Sequence, residues 1–365
     1  MHAVSLMIKP ASSSCNMRCT YCFYADETCN RSVANYGIMS MDTLEKVVRK
    51  AFAVADASVS FAFQGGEPTL AGASFFETLL MLQKKYNARH LPVYNALQTN
   101  GLHLTPAMLT VLKQGNFLVG VSVDGLISIH DKRRLDNKEQ PTYQRIMDNV
   151  ARMKAQDIPY NVLCVVDDAI ASQATACYNN LKKHQYVQFI ACMDGLNDGE
   201  SYLSPSLYGE FLVATFRQYE ADFWAGQYVS VRDFDNYIQR LQGRPTEICT
   251  MQGRCSVNFL VESNGDVYPC DFYALDEWRM GNIHQSNFSR MYKTEVAKRF
   301  VETSLFVPEA CKQCQWGFLC RNGCRRYRNP QGHNKLCESY RYFFTHCYDG
   351  MQKMANQLKK GGGLA

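Results

Sequence analysis

Three cysteines near the N-terminus have a spacing that suits an iron–sulfur cluster. Cys15, Cys19 and Cys22 form the pattern Cys-x3-Cys-x2-Cys just after the first predicted strand. A short loop with this spacing can present three thiolates to three irons of a 4Fe–4S cubane and leave the fourth iron open. A zinc site is the alternative, but zinc usually takes four closed nitrogen or sulfur ligands, and no fourth ligand follows at zinc-finger spacing.

The open iron determines what chemistry this triad could support. Its free coordination positions can bind the amino and carboxylate groups of S-adenosylmethionine beside a reducible cluster. One-electron reduction then cleaves a carbon–sulfur bond of that cofactor and yields a 5′-deoxyadenosyl radical. The spacing therefore predicts a radical enzyme, with an iron–sulfur or zinc scaffold for electron transfer or binding as the non-enzymatic alternative.

The last third of the chain holds a second concentration of cysteines. Eight of them lie between residues 249 and 337, enough for two fully ligated clusters: Cys249, Cys255, Cys270, Cys311, Cys314, Cys320, Cys324 and Cys337. Such clusters have no open coordination position, so they would brace the fold or pass electrons. Two structural zinc sites are the alternative, and the spacing does not give the pairing of the cysteines.

The total of sixteen cysteines also favours metal ligation. The chain has no signal-peptide pattern, and a reducing cytosol does not maintain disulfides. Five cysteines remain isolated and are interpreted as buried apolar thiols: Cys29, Cys164, Cys177, Cys192 and Cys347.

Apolar runs that alternate with helix-period segments predict repeated β/α units in the first half of the chain. The predicted strands cover residues 6–9, 59–64, 92–98, 117–123, 160–166 and 187–191. Helices are predicted to begin at Ser40 or Asp42, at Thr105 and at Thr142. The predicted fold class is therefore α/β, a partial (β/α)6 barrel of parallel strands with a cysteine-rich module at the C-terminus.

Polar or glycine-rich segments follow three of these predicted strands. They are Gln-Gly-Gly-Glu-Pro at 64–68, Gln-Thr-Asn-Gly at 98–101 and Ser-Val-Asp-Gly at 122–125. Sites in parallel α/β folds gather at the carboxyl ends of the strands. We therefore expect these segments to line the site.

Four segments are expected along the chain. A barrel covers residues 1–200, a helical linker 201–248, an auxiliary cluster module 249–345, and a C-terminal helix with a disordered tail 346–365. The net charge of +5 is spread along the sequence apart from a C-terminal cluster, so no nucleic-acid partner is expected. No apolar run approaches the roughly 20 residues that cross a bilayer, and we expect a cytoplasmic protein without a membrane partner.

The motifs resemble the radical S-adenosylmethionine (radical SAM) superfamily. An aromatic residue, Tyr21, precedes the last cysteine of the triad, and Gly65-Gly66-Glu67 is similar to the segment that contacts the amino group of the cofactor in that superfamily. The later cysteines resemble the SPASM extension of peptide-modifying radical enzymes. By that resemblance one auxiliary cluster is held by Cys249, Cys255, Cys270 and Cys324, and the other by Cys311, Cys314, Cys320 and Cys337. The resemblance thus implies three 4Fe–4S clusters.

Residues 5–345 as a whole resemble an anaerobic sulfatase-maturating enzyme, particularly the type that acts on cysteine. The segments that carry this resemblance are 8–13, 15–24, 61–70, 98–101 and 267–273. It implies oxidation of a cysteine or serine in a sulfatase to Cα-formylglycine, begun by transfer of a Cβ hydrogen to the deoxyadenosyl radical. The implied partners are a sulfatase polypeptide with a Cys/Ser-x-Pro-x-Arg motif, and a reductase, flavodoxin or ferredoxin as electron donor.

The resemblance also implies roles for single residues. Asp271 matches the family's base and would take the proton of the target thiol or hydroxyl, while an auxiliary cluster accepts the second electron. Positions that match cofactor-binding residues are Tyr21, Gly65, Gly66, Glu67, Ser122, Arg134 and Met193. Arg134 would pair with the cofactor carboxylate, and Met193 stands where leucine is expected. Tyr24 and Gln64 would line the peptide site or pack at strand ends.

A second enzyme of the same superfamily is the alternative to a sulfatase-maturating enzyme. It would mature a small ribosomal peptide by forming a thioether, a carbon crosslink or an epimer. Such enzymes also carry SPASM modules, and many add an N-terminal leader-binding domain, which is not expected before Leu6.

Overall fold

The computed structural model describes residues 1–196 and 201–361, which form two compact units. The first unit consists of residues 1–123, 131–160 and 256–301. The second consists of residues 124–130, 161–255 and 302 onward. By their packing, residues 256–301 therefore group with the first half of the chain.

The strands, in chain order, are β1 (Ala3–Ile8), β2 (Met17–Cys19), β3 (Ser58–Phe63), β4 (Val93–Thr99), β5 (Leu118–Ser122), β6 (Arg134–Asp136), β7 (Tyr160–Val166), β8 (Tyr186–Ala191), β9 (Ser230–Val231), β10 (Leu260–Val261), β11 (Asp266–Tyr268) and β12 (Gly281–Asn282).

The α-helices, in the same order, are α1 (Phe23–Cys29), α2 (Met41–Val54), α3 (Ala73–Tyr86), α4 (Pro106–Gln114), α5 (Ile127–Arg133), α6 (Tyr143–Ala155), α7 (Asp168–Ala171), α8 (Ala174–Leu181), α9 (Pro205–Trp224), α10 (Arg232–Leu241), α11 (Phe288–Met291), α12 (Glu295–Glu302), α13 (Glu309–Lys312), α14 (Gly317–Cys320) and α15 (Cys337–Gly361).

The first unit is built on a sheet in the order β12-β11-β10-β1-β3-β4-β5. Strands β10, β1, β3, β4 and β5 run parallel, and β11 and β12 continue the edge in antiparallel pairs. The register pairs Ile8 with both Phe63 and Val261, so β1, β3 and β10 end at the same level. The next residues along these strands, Lys9, Gln64 and Glu262, therefore come together at one edge of the sheet.

Apolar burial on the sheet explains why these segments form strands. Val59, Phe61 and Phe63 of β3 are fully buried, and the rings of Phe75, Phe76 and Phe117 surround Phe63 with centroids 5.2 to 6.3 Å away. Buried parallel strands consist of nearly continuous apolar residues, which is why the sequence pattern predicts them.

The helices of the first unit begin where side chains can cap them. Ser40 accepts a hydrogen bond from the backbone N–H of Thr43, and Thr105 accepts one from Met108, with Pro106 in the first turn of α4. These caps satisfy N–H groups that the first helical turn leaves unpaired.

The second unit combines a short parallel sheet with long helices. Strand β8 pairs with β7 and β9 in parallel. Helix α9 packs along α15, where Phe216, Phe234 and Phe343 form an aromatic cluster with centroids 5.2 to 5.7 Å apart. Gly209 allows this close packing, because a Cβ atom there would lie 3.2 Å from the Cα of Ser339.

The predicted alternation of parallel strands and helices is confirmed, and each predicted strand matches an observed one to within one to three residues at either end. Strands β2, β6 and β9 to β12 were not predicted. Helix α15 continues through residues 358–361, for which the sequence predicted disorder, and residues 362–365 lie outside the described part of the chain. No helix among the described residues is long and apolar enough to span a membrane.

Candidate active site

The N-terminal cysteine triad lies between the end of β1 and the start of α1. Cys19 is in β2, which pairs antiparallel with β6 so that Cys19 lies opposite Arg134. Cys22 is the N-cap residue of α1. The predicted ligand loop is thus fixed by a strand pair at one end and a helix at the other.

The environment of Cys15 shows what kind of ligand the triad suits. Burial, together with the negative charges of Glu67, Cys19 and Cys22, raises the pKa of the Cys15 thiol to about 11. Three neighbouring thiolates that repel one another are stabilised by a cation, so the donor set fits a cationic iron cluster.

Two donors also reach the Cys15 sulfur. The backbone N–H of Met17 lies 3.4 Å from Sγ, and Nδ2 of Asn100 lies 3.7 Å from it. Hydrogen bonds to ligand sulfurs are one means by which proteins tune clusters. Among the residues that the structure describes, no set of His, Cys, Asp or Glu is arranged to hold a single metal ion, and the cluster ligands remain a prediction.

The two glycines after β3 allow a close approach between loops. Gly66 has a φ of +51°, and a Cβ atom there would lie 2.3 Å from the carbonyl oxygen of Ser14. Gly65 has a φ of +81°, and its Cβ would lie 2.5 Å from the side chain of Lys9. A side chain at Gly66 would push this loop away from the backbone that leads into the cysteine triad, and one at Gly65 would collide with the stem of Lys9.

The Glu67 carboxylate joins its own loop after β3 to the end of β4. Oε1 accepts hydrogen bonds from the backbone N–H and hydroxyl of Thr69 and from the hydroxyl of Thr99, and Oε2 accepts one from the backbone N–H of Asn100. The side chain is 1% exposed. Glu67 therefore has a role in the protein scaffold, and its predicted contact with the cofactor remains a prediction.

Arg134 is buried, unlike its neighbours in the basic run that precedes β6. Its Nη1 donates a hydrogen bond of 2.8 Å to the Tyr21 hydroxyl. This contact brings together two residues that the sequence predicted as cofactor-binding. The guanidinium is therefore held in the first unit beside the cysteine loop rather than on a solvated face.

The remaining two predicted cofactor-binding residues, Ser122 and Met193, belong to different units. The Ser122 hydroxyl, at the end of β5, accepts a hydrogen bond of 3.2 Å from Nε2 of Gln98 at the end of β4. Met193 is buried in the second unit. Their roles toward the cofactor remain predictions.

Asp271 is a buried carboxylate at the start of a short 3-10 helix, Asp271–Tyr273. The residue is 5% exposed, its Oδ2 accepts a hydrogen bond of 2.7 Å from the Tyr24 hydroxyl, and its Oδ1 has no hydrogen-bond partner among the described residues. Burial raises the pKa of Asp271, while the nearby Lys9, Tyr24 and Gln64 oppose that shift. The carboxylate is thus a stronger base than one in water, and its Oδ1 accepts no hydrogen bond of normal geometry from the residues that the structure describes.

Burial also affects the Tyr24 hydroxyl, which is hydrogen-bonded to Asp271. Burial raises the pKa of Tyr24, and the negative charge of Asp271 contributes to the same shift, so the hydroxyl stays protonated and acts as the donor. Both groups are therefore locked in one arrangement of donor and acceptor.

Four charged residues form a buried network beside Asp271: Lys9, Glu27, Arg31 and Glu262. Nζ of Lys9 lies 3.6 Å from a carboxylate oxygen of Glu27 and of Glu262, and Nη1 of Arg31 lies 2.7 Å from Glu262. Burial raises the pKa of Glu27 to about 7. Burial would also raise the pKa of Glu262, but Lys9 and Arg31 bring it below its usual range. The sequence analysis missed this network.

Four of the eight later cysteines line one cavity of about 410 Å³ in the second unit. They are Cys311, Cys314, Cys320 and Cys337, the set that the resemblance assigned to one auxiliary cluster. Burial raises the pKa of Cys320 to about 12, and the charges of the other three add to the shift. As at the N-terminal triad, mutually repelling thiolates around a cavity fit a cationic cluster.

The other predicted set is divided between the two units. Burial raises the pKa of Cys324 to about 12, and the charges of Cys249 and Cys255 contribute, so these three thiols of the second unit influence one another. Cys270 belongs to the first unit.

Four of the isolated cysteines, Cys164, Cys177, Cys192 and Cys347, are buried as predicted. Cys29 is exposed, because it lies at the last position of α1, so the interpretation as a buried thiol was wrong there.

Comparisons with known proteins agree with the motifs. A family model described as the radical SAM superfamily matches residues 10–168, and a model described as an iron–sulfur cluster-binding domain, SPASM, matches residues 249–315. A cysteine-type anaerobic sulfatase-maturating enzyme from Clostridium novyi is 42% identical over 94% of this chain and 95% of its own length. A serine-type enzyme from Bacteroides thetaiotaomicron is 29% identical over 97% of this chain and 91% of its own length.

The fold also has a close counterpart among solved structures. Native anSMEcpe with bound AdoMet and Cp18Cys peptide superimposes with a TM-score of 0.92, at 39% identity, over 98% of this chain and 99% of that chain.

Replacing Glu67 by Gln should destabilise the protein. The amide nitrogen cannot accept the hydrogen bonds that one carboxylate oxygen accepts, so a buried donor loses its partner at a cost of about 2 kcal/mol. Urea unfolding followed by circular dichroism measures this change. Glu77→Gln on the exposed face of α3 is the matched control and should change the free energy of unfolding by less than about 0.5 kcal/mol. Equal stability of the two variants would contradict the scaffold role of Glu67.

Proposed function

Because the chain belongs to the anaerobic sulfatase-maturating enzymes of the radical SAM superfamily, we propose that it oxidises a cysteine of a sulfatase to Cα-formylglycine, with Asp271 as the base. The observation that carries the proposal is the buried carboxylate of Asp271, which accepts a hydrogen bond from Tyr24 through Oδ2 and, among the described residues, none of normal geometry through Oδ1.

We assign cofactor binding to residues around the cysteine loop. Cys15, Cys19 and Cys22 would hold the 4Fe–4S cluster, and the loop at Gly65 and Gly66, the Tyr21–Arg134 pair and Ser122 would surround S-adenosylmethionine. When bound, this pair of cofactors supplies the radical that removes a hydrogen atom from Cβ of the target residue. The guanidinium of Arg134 suits the carboxylate of the cofactor, because the planar fork donates two parallel hydrogen bonds.

Asp271 would take the proton that the target thiol must lose. Oxidation of cysteine to a thioaldehyde removes one hydrogen atom from Cβ, one proton from sulfur and one further electron. Water then replaces sulfur and gives the aldehyde. A base that is partly desolvated suits the proton step, since its raised pKa brings it closer to that of a thiol. The later cysteines would hold the two auxiliary clusters, which can accept an electron.

A cysteine target is favoured over a serine target by the comparisons. The cysteine-type relative is 42% identical and the serine-type relative 29%, over nearly the whole chain in each case. A ribosomal-peptide maturase receives no comparable support. The proposed partners are a sulfatase polypeptide with a Cys-x-Pro-x-Arg motif and a flavodoxin, ferredoxin or reductase as electron donor.

The proposed reaction can be tested with sulfatase-type peptides. We expect the reduced, reconstituted protein, incubated anaerobically with S-adenosylmethionine, to convert a Cys-x-Pro-x-Arg peptide to the aldehyde. Mass spectrometry detects the product, and chromatography measures 5′-deoxyadenosine. A peptide with alanine at the target position is the control. Abundant deoxyadenosine without aldehyde from the cysteine peptide would remove the sulfatase assignment and leave cofactor cleavage standing.

Asp271→Asn should separate cofactor cleavage from product formation. The amide cannot accept the thiol proton, so aldehyde formation should fall by about 10²-fold or more while deoxyadenosine formation continues. Both products are measured in the same reaction. Asp276→Asn, a few residues along the same segment, is the matched control and should retain both. An equal fall of both products in Asp271→Asn would indicate a structural role instead.

The number of clusters can be measured by iron and sulfide analysis. Three 4Fe–4S clusters correspond to about twelve irons per chain, and a double replacement of Cys311 and Cys314 by Ala should reduce this to about eight. The double replacement of Cys164 and Cys177, which the sequence assigns to packing, is the control. About four irons with two equivalents of zinc in the unmodified protein would rule out the auxiliary clusters.

A further inference from the structure

Lys9 occupies an unusual position for a lysine. It directly follows β1, its side chain is 0% exposed, and its stem packs against Gly65, where a Cβ atom would lie 2.5 Å from Cγ and Cε. A fully buried lysine is rare unless it is paired. The pairing of its ammonium therefore indicates what the residue does.

The Lys9 ammonium is held by charge rather than by hydrogen bonds. Nζ lies 3.6 Å from both Glu27 and Glu262 and has no hydrogen-bond partner among the described residues. It also lies 4.9 Å from the centroid of the Tyr24 ring, within the range of a cation–π contact. Helix α1 supplies both Glu27 and Tyr24, so one lysine fixes the face of the helix that carries Tyr24.

The positive charge of Lys9 is also needed to balance the buried carboxylates, which include Asp271. Three carboxylates are buried here, those of Glu27, Glu262 and Asp271, against two cations, Lys9 and Arg31. Arg31 is committed to Glu262, Ser12 and the carbonyl oxygen of Ala34. The Lys9 ammonium lies 4.9 Å from the centroid of the ring whose hydroxyl donates to Asp271, so Lys9 is the cation left to balance the Asp271 carboxylate. Without it, Asp271 would lie among buried negative charges with Tyr24 as its hydrogen-bond donor.

We propose that Lys9 is a positioning residue for the oxidation: it holds the Tyr24 ring and balances the charge of Asp271, so that cofactor cleavage leads to product. The inference rests on the proposed function and adds a residue that the motifs do not include. Lys9 acts through Tyr24 and Asp271 and need not touch the substrate. Small misplacements of a reacting group are costly, so its removal should uncouple cofactor cleavage from aldehyde formation.

The test compares two variants that each remove one buried cation from the same network. In Lys9→Met, the aldehyde formed per deoxyadenosine should fall about tenfold or more, while the KM for the cysteine peptide changes little. In Arg31→Met, the stability should fall while this ratio stays near that of the unmodified protein. An equal fall in both variants would reduce Lys9 to a structural role, and an unchanged ratio in Lys9→Met would also overturn the proposal.

A peptide with deuterium on Cβ of the target cysteine locates the step that fails. Lys9→Met should still transfer deuterium into 5′-deoxyadenosine, because the proposal places the defect after hydrogen abstraction. Loss of this transfer would overturn it. Cluster absorbance verifies that each variant is folded, and Lys9→Gln, which keeps polarity but not charge, should reproduce the low ratio if Lys9→Met does not fold.

Aldehyde formation by the unmodified protein distinguishes a failure of the Lys9 proposal from a failure of the proposed function. Aldehyde production by the unmodified protein, with a normal ratio in Lys9→Met, would retain the proposed function and remove the role of Lys9. If the unmodified protein produces no aldehyde, both proposals fail.

Discussion

The buried ion network of Lys9, Glu27, Arg31 and Glu262 is the constraint on which the candidate site depends. Moving a charged group out of water costs several kcal/mol unless partners surround it, so these side chains fix one another and the elements that carry them. The network joins the end of β1, the end of β10 and helix α1. Within the network, Lys9 is the cation that contacts α1 at Glu27 and Tyr24, so Lys9 rather than Arg31 fixes the position of Tyr24, the partner of Asp271.

A second buried carboxylate, that of Glu67, fixes the loops that follow β3 and β4. Glu67 accepts hydrogen bonds from Thr69, Thr99 and Asn100, and Asn100 in turn reaches the sulfur of Cys15. The parallel register makes these contacts possible, because strands that end at one level deliver their loops to one edge of the sheet. The site is thus held by buried polar groups whose loss of hydration is compensated only when every loop is in place.

Much of this arrangement could be predicted from local sequence, and the remainder depends on contacts between distant residues. Buried parallel strands such as β3 and capped helices such as α2 have clear local patterns. Strands of two or three residues, such as β2 and β10, are too short to show a period. Arg31 and Glu262 are 231 residues apart, and no spacing indicates that they pair. Glu67 bonds to Thr99 and Asn100, which lie 32 and 33 residues further along the chain, and no local pattern indicates these contacts.

An anaerobic crystal structure with S-adenosylmethionine and a cysteine-containing sulfatase peptide would test the role of Asp271 most directly. The measured quantity is the distance between the target sulfur and Oδ1 of Asp271. We expect the sulfur within about 3.5 Å of Oδ1, with Tyr24 still bonded to Oδ2, since a base must reach the proton that it removes. A thiol more than about 6 Å from Asp271, without a bridging water and with Cβ facing the cofactor, would contradict Asp271 as the base.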